Sequence, residues 1–204
     1  MSKSSARISS IRKETVSVHD LAPLCALGAT EPHIDTVAGV TLTENPGHAL
    51  ASVAARLGQE SACADRLGTL LGANAPGVEA WVRSDPMSAF WMAPDQWMVI
   101  APFASHEDLA ANLKQRFGTT ASITEQTDAW VCFDMQGDGV EQVMQLCANI
   151  DIETMPVGSA TRSVIHYMGV YVLRSAPDAL TVLGGRSSAG SLHHALLTAM
   201  KSAL

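Results

Sequence analysis

Cations are in short supply in this 204-residue chain: 13 Lys and Arg stand against 20 Asp and Glu, giving a formal net charge of -7 and a sequence pI near 5.4. A face that binds nucleic acid gathers basic residues to neutralise phosphates. Here they are scattered, so nucleic acid is not an expected partner. No run of about 18 apolar residues passes without a charge or a turn signal, so neither a membrane-spanning helix nor membrane attachment is predicted. Residues 1–15 carry Arg7, Arg12 and Lys13 among serines and lack the apolar core of a signal peptide, which predicts a cytoplasmic protein with a loose leader.

Catalytic signatures are missing as well. No Gly-x-Gly-x-x-Gly follows a strand, there is no Gly-Lys-Ser/Thr, and no serine sits in a Gly-x-Ser-x-Gly elbow. Gly184-Gly185-Arg186-Ser187-Ser188 therefore reads as a plain strand-to-helix turn. Cys25, Cys63, Cys132 and Cys147 are spaced too widely for a zinc knuckle or a redox pair, and buried, reduced thiols are predicted. Of the seven histidines, His193 and His194 are adjacent on a helix and diverge by about 100°, and the others stand singly in sequence. No metal site is expected from them.

The chain does have enough apolar residues for a sizeable core, 47% against 16% charged. Residues 1–36 show no sustained period and read as an extended arm, of the kind that is ordered by lying on its own domain or on a partner. From Val37 the pattern is regular. Val40 and Leu42 alternate with threonines, a strand runs from Ala49 to Ala55, and a helix from Gln59 to Leu71 ends at Gly72. Strands follow near 79–83, 89–92 and 97–101. Ser105 with Asp108 has capping-box spacing before a helix that buries Leu109, Leu113 and Phe117.

Residues 121–204 repeat the theme. Ile123 and Trp130 to Met135 read as strands, and Asp138 with Glu141 is expected to cap a helix. Short strands near 163–167, 170–173 and 179–183 precede a final helix with Leu192, Leu196, Ala199 and Met200 inward. These elements predict an α+β protein of two ferredoxin-like βαββαβ-type halves, residues 37–120 and 121–204.

Two segments stand out. Phe90-Trp91-Met92-Ala93-Pro94-Asp95-Gln96-Trp97 and Trp130-Val131-Cys132-Phe133-Asp134 hold three of the four tryptophans. Phe90, Trp91 and Trp97 form more apolar bulk than one hairpin normally hides, and are candidates for an interface with another protein. Asp95 with Pro94 reads as a turn. In order along the chain come Leu50 to Arg56, Ala93-Pro94-Asp95-Gln96-Trp97, Asp134 to Met144, Asp151, Pro156-Val157-Gly158, Thr161-Arg162 and Gly185-Arg186-Ser187-Ser188. This succession, from Gly39 to Leu204, resembles the gamma subunit of heterotetrameric sarcosine oxidase and, more distantly, folate-binding aminomethyltransferase-like domains. Ala93 stands where that pattern often has glycine, and Gln96 where it often has an acid.

The resemblance implies an aminomethyltransferase-like fold and a noncatalytic subunit of a four-chain enzyme that oxidises sarcosine to glycine and forms hydrogen peroxide. It implies alpha, beta and delta subunits as partners, with FAD, FMN and NAD in alpha and beta, zinc in delta, and tetrahydrofolate as a co-substrate of the complex. No cofactor is expected in this chain. An alternative is a free-standing folate-binding protein in which Trp97, Asp134 and Arg162 face the ligand. Another is the equivalent subunit of N-methylglutamate dehydrogenase, where the amine is chosen by a different chain.

Overall fold

Side chains along a strand alternate between faces, so each apolar run here must satisfy whatever lies above and below its sheet. In the computed structural model, which describes residues 22–204, the strands are β1 (Ile34–Val37), β2 (Val40–Glu44), β3 (His48–Ala55), β4 (Trp81–Val82), β5 (Ser88–Ala93), β6 (Gln96–Pro102), β7 (Ala121–Glu125), β8 (Trp130–Gln136), β9 (Ala160–Ile165), β10 (Met168–Ala176) and β11 (Ala179–Gly185). The helices are α1 (Glu60–Leu71), α2 (Leu109–Phe117), α3 (Val140–Cys147) and α4 (Ala189–Ala203). They build two antiparallel sheets, in the orders β1-β2-β8-β11-β10-β9 and β4-β5-β6-β3-β7. The fold is α+β, as the element pattern implies.

The layers run helix, sheet, sheet, helix. On the first sheet, Leu42, Phe133, Met135, Val172 and Val182 pack under α3 and α4. On the second, Val53, Trp97 and Val99 pack under α1 and α2 with Cys63, Leu67 and Leu113. Between the sheets lie Leu50, Phe90, Met98, Cys132, Tyr171, Leu173 and Leu183. Alternation explains this division: Phe133 faces the helices and its neighbour Cys132 faces the other sheet.

The sheets do not divide where the sequence pattern suggested, at residue 120. The unit β3-α1-β5-β6-α2-β7 has the ferredoxin-like strand order and closes with β7 at 121–125, which pairs Val53 with Ile123. The second unit, β8-α3-β10-β11-α4, lacks a final strand of its own. Its place beside β8 is taken by β2 from before the first unit, pairing Thr43 with Asp134. Periodicity reveals which face of a strand is buried but not which strand lies alongside it, and that is why the exchange was not legible.

Residues 1–21 of the expected arm lie outside the described residues. From residue 22 the chain lies against the first sheet. The buried carboxylate of Glu44 accepts the backbone N–H of Leu27 at 2.9 Å and of His33 at 3.2 Å, and Arg186 donates to the Leu24 carbonyl at 2.8 Å. No helix among the described residues is long and apolar enough to cross a membrane.

Helix ends differ from expectation at their N-termini. Ser105 lies in a short 3₁₀ turn beside Pro102 and His106, and α2 begins four residues later with no side-chain cap. Asp138 does not cap α3, and Glu141 turns instead to the guanidinium of Arg174. The end of α1 is as read: Gly72 takes φ 65°, and its N–H bonds the Gly68 carbonyl.

Candidate functional site

The chemistry-bearing side chains of β8 are turned toward the space between the sheets. Asp134 stands in register with Thr181 of β11, whose hydroxyl donates to Oδ1 at 2.5 Å. Asn45, just past β2, donates from Nδ2 to Oδ2 at 2.6 Å. The Asn45 side chain is itself fixed, since its Oδ1 accepts the Gly47 N–H at 2.9 Å and its own backbone N–H bonds the Cys132 carbonyl. The same Nδ2 lies 3.2 Å from His48 Nε2. With Nδ2 as the donor, that ring nitrogen presents its lone pair and the imidazole is neutral. Burial lowers the His48 pKa below its usual value, while the Asp134 carboxylate opposes the change.

Asn45, His48, Asp134 and Thr181 line a cavity of about 430 Å³, closed on the other side by Trp81, Arg83 and Ser84. Arg83 lies over the Trp81 ring, its guanidinium carbon 5.1 Å from the centroid, and donates to the Ser175 carbonyl at 2.9 Å. The Trp81 indole N–H is buried without a protein acceptor. A second cavity of about 290 Å³ lies beyond Asn45, His48 and Cys132, with Glu44, Trp130 and Arg186 in its wall.

This arrangement suits holding and orienting better than bond making. Both oxygens of Asp134 are already engaged in hydrogen bonds. Burial pushes the Cys132 thiol up to about 12, Asp134 adding to the effect, and raises Cys63 and Cys147 to about 11 and Cys25 above its usual value. A nucleophilic cysteine needs the opposite shift. All four thiols are free.

Of the three residues considered for a folate ligand, only Asp134 lines the cleft. Trp97 is on the far side of the second sheet, 5% exposed, with its indole N–H donating to the Pro76 carbonyl at 2.8 Å. Arg162 sits on β9, separated from β8 by β11 and β10. The interface candidates are also divided. Phe90 is fully buried between the sheets against Tyr171, at 5.1 Å between ring centroids. Trp91 pairs with Trp97 across the hairpin and packs partly buried on the helix side. Alternation along β5 sends neighbouring aromatics to opposite faces, so Phe90 and Trp91 do not belong to one continuous patch. Asn45, His48, Trp81, Arg83 and Thr181 were not singled out from the sequence. Only the Asn45-Pro46-Gly47 turn carried a local signal, and it marked a turn without naming a partner.

A family model described as sarcosine oxidase, gamma subunit, matches residues 57–200. Among solved structures, heterotetrameric sarcosine oxidase from Corynebacterium sp. U-96, in complex with pyrrole 2-carboxylate, aligns with a TM-score of 0.69 and 17% identity, covering 80% of this chain and 84% of that one. Glycine cleavage system aminomethyltransferase T from Bartonella henselae aligns with a TM-score of 0.60 and 15% identity, over 79% of this chain and 46% of that one. This chain thus spans a little under half of that protein. At these identities the two alignments establish a shared fold. No curated protein matches the chain in sequence.

Proposed function

From the premise that the chain belongs to the sarcosine oxidase gamma subunit family, we propose that it is a noncatalytic chain of a four-chain enzyme oxidising sarcosine to glycine with formation of peroxide. Its partners are the alpha, beta and delta subunits, and its task is to pack against the large alpha subunit. FAD, FMN, NAD and zinc reside in those partners, and tetrahydrofolate serves the complex as co-substrate. The family match carries this reading. The high thiol pKa values and the engagement of both Asp134 oxygens in hydrogen bonds support the noncatalytic part of it.

The wide separation of Trp97, Asp134 and Arg162 weighs against a free-standing folate protein built on those residues. Purified alone, the chain is expected to show no flavin absorbance and no sarcosine-dependent peroxide. Turnover by the isolated chain at the rate of the assembled enzyme would overturn the proposal.

A further inference from the structure

Three ligand-type side chains, far apart in sequence, converge where the start of the first sheet meets the last helix. Asp35 lies on β1 opposite Leu42, and so on the helix-facing side of the sheet. His33 precedes it, and His193 reaches it from the first half of α4. Asp35 Oδ2 is 3.2 Å from His33 Nε2 and 2.7 Å from His193 Nε2. One ligand atom from each of the three lies within 4.8 Å of the others. The His33 and His193 rings stand edge to face at 4.9 Å.

We propose that His33, Asp35 and His193 form a binding site for a divalent transition-metal ion of the zinc class. Two imidazoles with one carboxylate form a donor set that such ions take readily. Donors about 2.0 Å from a tetrahedral ion lie about 3.3 Å apart. The Asp35–His33 separation already has that value, and the Asp35–His193 hydrogen bond needs to open by only about half an ångström. His193 and Asp35 are mostly buried, with side-chain exposures of 16% and 25%, whereas His33 is 51% exposed. The outer side of the cluster therefore opens to solvent, where water completes the coordination. Two Nε2 atoms from distant segments converge on one carboxylate oxygen, which places three potential ligand atoms around one point. The ion clips β1 to α4 across 158 residues of chain.

This site is independent of the assignment to an oxidase subunit and contradicts the expectation that the histidines stand alone. The decisive experiment uses the full chain without a polyhistidine tag, stripped by chelator and then equilibrated with Zn²⁺ alone. One equivalent is expected to bind. Free Zn²⁺ at about a hundredfold above Kd is expected to raise the melting temperature by about 5 °C or more. The variants His193→Ala and Asp35→Asn, with folding checked by circular dichroism, should each bind at least about tenfold more weakly and lose that thermal shift. His194→Ala, altering the exposed neighbour, should keep both. Co²⁺ should give the visible absorption of a tetrahedral site in the wild type and in His194→Ala only. The proposal is overturned by wild-type protein that binds no stoichiometric zinc, or by binding equal in all four proteins.

Discussion

Arg174→Met is expected to destabilise the chain by about 3–5 kcal/mol, the cost of leaving three largely buried carbonyls without their donor at about 1–3 kcal/mol each. Arg174 sits in β10 with a side chain only 7% exposed. Its guanidinium donates to the carbonyls of Ile152, Met155 and Pro177 and to the carboxylate of Glu141. It thereby ties the segment after α3, the start of α3 and the β10–β11 turn to one strand. Met fills a similar space but leaves those acceptors without a donor in a region largely closed to water. Set against a typical domain stability of about 5–15 kcal/mol, the loss removes a large share of the whole. Glu141→Gln should cost far less, about 1 kcal/mol, because that carboxylate is 37% exposed, is partly solvated already, and leaves an amide oxygen able to accept the same bond. Urea denaturation of both variants measures the contrast, and a loss below about 1 kcal/mol for Arg174→Met would remove this network from the account of stability.

Gly137→Ala should be nearly as damaging, at about 2–4 kcal/mol, for a backbone reason. Gly137 has φ +137°, and a Cβ there would lie 2.5 Å from the Gly39 carbonyl oxygen and 2.9 Å from the Val40 Cα. Neither is the movable end of a side chain, so the β1–β2 hairpin would have to lift away from the end of β8. That hairpin supplies the strand that completes the second unit, and it carries Asp35. Gly39→Ala is the control. It shares a positive φ, +88°, but meets nothing within 4 Å, so its cost is conformational and about 1–2 kcal/mol. Thermal melting should place the Gly137 variant well below the Gly39 variant. Equal melting temperatures would mean that the close approach does not constrain the fold.

The sequence was most readable where local pattern and tertiary demand agree. The inward faces of α1, α2 and α4 follow from spacing alone, and Cys63, Leu67, Leu113, Phe117, Leu192 and Leu196 are all buried. Strand positions from β2 onward were legible within a few residues for the same reason, whereas β1, Ile34–Val37, lies almost wholly in the stretch read as an arm. Strand partners were not, because β2 crosses to the second unit and β7 closes the first, while the apolar alternation of the two units looks alike. Among the described residues Glu44 and Arg174 are the buried charges that brace the fold; Glu44 ends β2, and Arg174 follows the apolar run Val170 to Leu173 of β10. That placement was a usable signal. The site residues were harder. Asp134 stood out by its place in β8, but Asn45 and Thr181 reach it from 89 and 47 residues away. His33 and His193 are farther apart still, so no spacing rule could join them.

On the function proposed above, the chain is a noncatalytic subunit and the activity belongs to the assembly. The most direct test is co-expression with alpha, beta and delta candidates, capture through a tag on this chain, and assay of the eluate for flavin and sarcosine-dependent peroxide. A four-chain flavoprotein that turns over sarcosine is the expected product. Recovery of this chain alone, binding tetrahydrofolate saturably, would contradict that function.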